Sequence, residues 1–383
     1  LASGINDVAA RAGVSVATVS RALRGLPNVA PSTRRRVLDA ARELDYVADP
    51  HASRLAAGRT RTVGMVVPYI TQWFFTQVVS GAEAVLAAAG YDILLYNVGG
   101  SAGRDRFLAT LPFRKRVDGI IVIDLPLDAA AQDLLATLGT PVVMVGVPSR
   151  IFPTVTIDNV AAGVAATRHL ANLGHERIGL VSSLPDDPLG FAAPIERRRG
   201  YLRVLAERGL DRRPELDVPG GFSMSGGAEA MAALLSVAAP PTAVFAESDE
   251  MAIGALKTIR DAGLRVPEDL SVIGFDDHAM AEFVGLTTVA QPVVEQGEVA
   301  AQLFLDRLTS GGASPPPAVE LPTKLRVRAT TGPPGGPSGL VAPGLKTLAP
   351  SCRPADDRAA HPVPDHELTD GPPQHHGPPR PRG

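Results

Sequence analysis

Residues 5–23 read INDVAARAGVSVATVSRAL, and this stretch decides how the amino end of the chain folds. Ile5, Val8, Ala9 and Ala12 recur at helical intervals, Gly13, Val14 and Ser15 interrupt them, and Val16, Val19, Ala22 and Leu23 resume the period. The spacing predicts a helix, a tight turn and a second helix. Ala9 is small where two crossing helices must approach, Gly13 tolerates a positive φ, and Ser15 can accept an amide hydrogen bond as the cap of the second helix. A third helix is predicted over Thr33 to Leu44, with Val37, Leu38, Ala41 and Leu44 apolar and Pro31 suited to a first turn. Ala30 at its cap position offers no side-chain acceptor, a loss of about 1 kcal/mol.

Charge separates this head from the rest. The net charge of −3 conceals ten arginines against five acids in residues 1–61, which makes the head +5 and leaves −8 elsewhere. A compact basic head on an acidic body suggests phosphate contacts. The chain of 383 residues, 45% hydrophobic, can bury several cores. No apolar run reaches the roughly 20 residues that span a bilayer. The amino end lacks the succession of a secretory signal, and the one cysteine, Cys352, has no internal partner, so a reducing cytoplasm is expected.

Residues 5–23 resemble the DNA-binding head of the lactose-repressor family, and the resemblance runs on to about residue 331. It implies that the second helix enters the major groove of operator DNA with Val16, Ala17 and Arg21 at the base edges. The chemistry agrees: an arginine pairs bidentately with guanine, and small apolar side chains meet the thymine methyl. Thr18, Ser20 and Arg24 are expected at phosphates, and Ser15 at the start of the same helix is grouped with them. For Arg34, Arg35 and Arg36, a solvated helix face and a DNA contact both remain open. Residues 51–57 are helical in pattern but too few to persist alone in water. The resemblance implies that two such hinge helices pair over the minor groove, with Leu55 as an apolar wedge and Ala52 beside it. The order Ala52, Ser53, Arg54 departs from the family's Ala-Arg-Ser.

From Thr62 apolar strands alternate with helical stretches, the pattern of an α/β fold with parallel sheets covered on both faces. Strands are expected at 63–67, 92–96, 119–123, 142–145, 177–181, 243–246 and 271–275. The resemblance implies a two-lobed core like the periplasmic sugar-binding proteins, with the chain crossing between lobes near Thr156, Thr288 and Leu321 and an effector in the cleft. It carries over, as lining residues, Phe74, Phe75, Asp158, Arg197, Phe222, Asp249 and Asp276. Aromatic faces stack on a sugar ring while Arg197, Asp158 and Asp276 bind hydroxyls; a nucleobase would also fit. Trp73 stands where the family often has proline, and Ser248 where it often has asparagine, which leaves the effector's identity open.

The division expected is 1–48 for the helix-turn-helix domain, 49–61 for the hinge, 62–331 for the effector-binding and dimerisation domain, and 332–383 for a disordered tail. Thirteen prolines lie between Pro333 and the end, and no leucine heptads of the kind that build a tetramer appear, so a homodimer is expected. The function implied is a transcriptional repressor that binds a near-palindromic operator and is controlled by a small polar effector, a sugar before others. Two alternatives are a sugar-binding protein without a DNA role and a nucleobase-responsive co-repressed regulator. No membrane partner, metal or cofactor is expected. An enzyme is disfavoured because the nucleophile elbow, the phosphate-binding loop and paired metal ligands are missing from the sequence. His278, beside Asp276 and Asp277, reads as a surface histidine.

Overall fold

The computed structural model describes residues 4–23, 25–46, 59–183, 187–310 and 316–335. The head contains helices α1 (Ile5–Ala12), α2 (Val16–Leu23) and α3 (Pro31–Glu43). Gly13 turns the chain between the first two with φ +62°, and Ser15 Oγ accepts from the Thr18 amide at 3.2 Å, capping α2. Val8, Ala9, Ala12, Val19, Ala22, Val37, Ala40 and Ala41 form the buried core.

Two expectations change here. Leu38 is 38% exposed, and Ala40 takes the inward place, because 37, 40 and 41 share one stripe of α3 while 38 lies a step round the helix. Arg34 and Arg36 spend donors inside the head: Arg34 Nη2 reaches the Leu26 carbonyl at 2.6 Å and Arg36 Nη2 the Ala12 carbonyl at 3.1 Å, the latter at the otherwise open end of α1.

The remaining described chain builds two lobes. It begins with β1 (Thr62–Val67), α4 (Trp73–Ala88), β2 (Asp92–Asn97), α5 (Ser101–Thr110), β3 (Gly119–Ile123), α6 (Ala129–Ala136), β4 (Val142–Val145) and β5 (Thr154–Ile157). It then crosses to a second lobe with α7 (Asn159–Asn172), β6 (Ile178–Ser182), α8 (Ala192–Glu207), β7 (Asp217–Pro219), α9 (Met224–Ser236), β8 (Ala243–Ala246), α10 (Asp249–Asp261), β9 (Ser271–Asp276), α11 (Ala279–Phe283) and β10 (Thr287–Ala290). Helix α12 (Val293–Ser310) and β11 (Ala318–Leu321) return to the first lobe, and β12 (Lys324–Arg326) rejoins the second. Among the described residues each lobe holds a six-stranded sheet, ordered β11-β5-β4-β3-β1-β2 and β12-β10-β9-β8-β6-β7. All the pairings are parallel except that of β12 with β10.

The central strands are buried on both faces and were legible as apolar runs; β3 and β4 are buried throughout. Unpredicted as strands were β5, β7, β10, β11 and β12. Three of these, β7, β11 and β12, are sheet edges with exposed or half-buried residues, while β5 and β10 are short and threonine-bearing beside the crossovers. All three crossovers fall between these strands and the elements that follow them, so both lobes present the carboxyl ends of their sheets to one cleft. Among the described residues no helix is long and apolar enough to cross a membrane.

Candidate functional site

Helix α2 offers one candidate surface. Val19 and Ala22 point into the head core, which turns Val16, Ala17 and Arg21 outward on the opposite side; Val16 is 40% exposed. An exposed valine at the start of this helix is available for an apolar contact. Thr18 and Ser20 are half-buried at its margin. The Ser15 hydroxyl is occupied by the α2 cap and lies 2.9 Å from the Thr18 hydroxyl. Arg24, Ala52 and Leu55 lie outside the described residues, as do residues 47–58, which include most of the expected hinge 49–61, and the chain from 336 onward.

The second candidate is the cleft between the lobes, lined by residues of both. Phe74 and Phe75 enter from the first turn of α4, their rings edge to face with centroids 5.3 Å apart. Asp124 enters from the end of β3, and Phe191, Phe222 and Asp276 from the other lobe. Arg197 on α8 is the centre of the polar wall. Its Nε donates to Asn159 Oδ1 at 3.0 Å and its Nη1 to the Glu247 carbonyl at 2.7 Å, while the guanidinium carbon lies 3.6 Å from the Phe275 ring centroid. Asp276 Oδ1 accepts from Gln291 Nε2 at 2.6 Å, and Gln291 Oε1 accepts from Gln296 Nε2 at 3.0 Å. This chain joins the end of β9 to the crossover into α12. Asp124, Phe222 and Asp276 have φ of +44°, +51° and +117°, so three of the lining residues hold left-handed or neighbouring backbone that costs on the order of 1–3 kcal/mol each.

Two of the expected ligand residues do not line this space, a correction to the sequence reading. Asp158 caps α7, accepting from the Ala161 amide at 2.8 Å, and its neighbour Asn159 faces the cleft. Asp249 is fully buried behind the wall, where Oδ1 accepts from the Thr288 hydroxyl and Oδ2 from the His278 amide, both at 2.7 Å. Ser248 and Glu250 on either side of it line the cleft. In both cases the error is one position at a helix start, but the causes differ: Asp158 is spent on the cap of α7, whereas at α10 the cap residue Ser248 itself faces the cleft and Asp249, the first helical residue, is turned inward to the Thr288 hydroxyl and the His278 amide. Phe74, Phe75, Arg197, Phe222 and Asp276 do lie on the wall.

His278 is not a simple surface side chain: it is half-buried, caps α11 through Nδ1 accepting from the Met280 amide at 2.9 Å, and stacks with Trp73. Sequence reasoning passed over Asp124, Phe191, Asn159, Gln291 and Gln296. A signal existed for Asp124, the polar residue directly after the apolar run 119–123, since ligands collect at the carboxyl ends of parallel strands.

Burial dominates the electrostatics. It raises the Asp124 carboxyl to about 7 and that of Asp276 to about 6, with Arg197 opposing in both cases. Glu247, behind Arg197, is raised to about 8 by burial although its Oε2 accepts from the Ser183 amide at 2.9 Å. Burial lowers the Arg197 guanidinium, and the nearby Asp276, Glu247 and Asp124 carboxyls counter it. Asp124 Oδ1 and Glu247 Oε1 are buried without a hydrogen-bond partner. Such a cleft can hold a small ring by its faces on the phenylalanines and its polar edge on Arg197, Asp276 and the amides. No group of three or more His, Cys, Asp or Glu suited to a metal ion occurs among the described residues.

Residues 4–49 match the bacterial regulatory proteins of the lacI family, and residues 167–331 match the periplasmic binding protein-like domain. The chain is similar to the HTH-type transcriptional repressor CytR of Escherichia coli (strain K12), 37% identical over 313 residues that cover 80% of this chain and 90% of that protein. Among solved structures it is similar to the lac repressor dimer bound to operator and the anti-inducer ONPF, with TM-score 0.75 and 26% identity over 87% of this chain and 100% of that one. It is also similar to a transcriptional regulator CelR–cellobiose complex, with TM-score 0.63 and 34% identity over 86% and 99% of the two chains.

Proposed function

Because the chain belongs to the lacI family of bacterial regulatory proteins, we propose that it is a repressor whose α2 reads operator DNA through Val16, Ala17 and Arg21 and whose interlobe cleft holds a sugar-like effector. The observation that carries this reading is the pairing, in one chain, of an outward row on α2 with a cleft walled by phenylalanines and a buried arginine. Arg21 would supply bidentate recognition of a guanine, Val16 and Ala17 the thymine methyl contact, and Thr18, Ser20 and Arg24 the phosphate contacts that set register. Two copies related by a two-fold axis would place two heads on half-sites about one or more helical turns apart. The hinge residues Ala52 and Leu55 would act at the centre of that operator.

The effector belongs to the other end of the same equilibrium. The lobes are joined by three crossovers, so a ligand gripping both changes their mutual angle and thereby the separation of the segments leading to the heads. Coupling of this kind is reciprocal: whatever factor the effector imposes on operator affinity, the operator imposes on effector affinity. A sugar suits the cleft because its apolar faces match Phe74 and Phe222 while its hydroxyls match Arg197, Asp276 and Asn159. The relative in the CelR complex holds cellobiose.

Selection of bound sequences from a random DNA pool, with and without a panel of sugars, tests this. Enrichment of a palindrome that one sugar abolishes or creates is the expected result. No enrichment under any condition would overturn the repressor reading.

A further inference from the structure

The lobe that begins at β1 contributes to the cleft a carboxyl group that the protein leaves unanswered. Asp124 is 9% exposed, it lines the cleft, and its Oδ1 has no hydrogen-bond partner. Nothing stands beside it at Gly146: a Cβ there would lie 2.9 Å from Asp124 Oδ1, so the absent side chain preserves the space in front of the acid. The other acids of the wall are provided for. Asp276 accepts from Gln291, and Glu250 accepts from the Trp73 amide. Arg197, the cationic lining residue, turns Nε to Asn159 and Nη1 to the Glu247 carbonyl and its face to Phe275, and it is one cation on a lining that carries three carboxyls, Asp124, Glu250 and Asp276. A neutral sugar brings hydroxyl donors but offers the ionised form of Asp124 no counter-charge. A ligand ammonium supplies both the donor and the charge.

Resting on the reading of this cleft as the effector site, we propose that Asp124 receives a protonated amino group, so that the effector is an amine-bearing polar ring such as an amino sugar. Burial supports the assignment. In the empty cleft Asp124 holds its proton to about 7, with Arg197, Glu196 and Asp187 the other charged groups acting on it. An arriving ammonium favours the ionised carboxylate and drives that proton off, so binding near pH 7 releases up to about half a proton.

The test is calorimetric titration of the full chain with matched pairs: glucose and glucosamine, galactose and galactosamine, mannose and mannosamine, each in two buffers of different ionisation enthalpy. One amino sugar is expected to bind roughly tenfold or more tighter than its parent, with proton release, and Asp124→Asn is expected to bring the pair to near equality. If parent sugars bind as tightly as their amino counterparts, or if the preference survives Asp124→Asn, the amine assignment falls while the sugar reading stands. If no member of the panel binds, the sugar reading falls and takes the amine assignment with it. The comparison of parent with amine in the unaltered chain decides the matter even if the variant folds poorly.

Discussion

The indole of Trp73 lies on the imidazole of His278, centroids 4.8 Å apart and planes inclined by 44°, so the first residue of α4 in one lobe rests on the segment after β9 in the other. The Glu250 carboxylate accepts the Trp73 amide beside it. Aromatic contact, backbone hydrogen bond and the cap that His278 provides to α11 thus meet at the cleft mouth.

Removing the ring should loosen this clasp. Trp73→Leu keeps an apolar side chain at the start of α4 but loses the aromatic pair, and denaturant melts should show a loss of about 1–2 kcal/mol. An unchanged midpoint would mean that the stacking contributes nothing to the association of the lobes.

Arg21→Ala should cost roughly 1–3 kcal/mol at the guanine it reads and relax preference at that base pair alone, seen as a flattened column in the selected operator sequences. Because the side chain is exposed and its neighbours Val19 and Ala22 carry the packing, the melting of the head should be unchanged. A uniform loss across all positions would instead assign Arg21 to phosphate.

Arg197→Ala removes the cation that faces the Asp276, Glu247 and Asp124 carboxyls and strands Asn159 Oδ1 and the Glu247 carbonyl. Stability should fall by about 3–5 kcal/mol, and effector binding should be lost. Operator binding by the head should persist without any effector response, measured by DNA retention at saturating ligand.

The pH dependence follows from the same acids. Asp124 is raised from the ordinary carboxylate value to about 7, so between about pH 4 and 7 the folded chain keeps a proton that the unfolded chain releases. Its contribution is therefore greatest in acid and is lost as pH rises through about 7. His175 and His278, lowered by burial, act in the opposite sense, their contribution lost as pH falls below the ordinary histidine value. The difference in melting temperature between the unaltered chain and Asp124→Asn isolates the acid: from pH 6 to 8 the unaltered chain should lose ground to the variant. A constant difference would mean that Asp124 titrates as an ordinary carboxyl.

Much of the head was legible from residues 5–23 because each of its requirements is local. A positive φ at Gly13, a cap at Ser15 and a stripe of small apolar residues are properties of neighbours in sequence, and the structure has each of them. Leu38 was misread because hydrophobicity at one position does not report on which side of the helix the partners stand. The central strands declared themselves by burial on both faces, while edge strands such as β12 carried no such mark.

The candidate cleft divides along the same line. Sequence alone determined that parallel strands alternate with helices and that polar residues follow the strands, since periodicity and the rule for strand ends require nothing beyond the chain's own order. Only the tertiary structure decided which of those residues meet. Asp158 and Asn159 are adjacent, yet the cap takes one and the cleft the other; Asp249 is withdrawn behind Ser248 and Glu250; Asp124, Gln291 and Arg197, distant in sequence, line one cleft. The reason is that helix rotation, cap closure and the approach of two lobes through three crossovers are set by packing against elements far along the chain, and a local pattern holds no record of those partners.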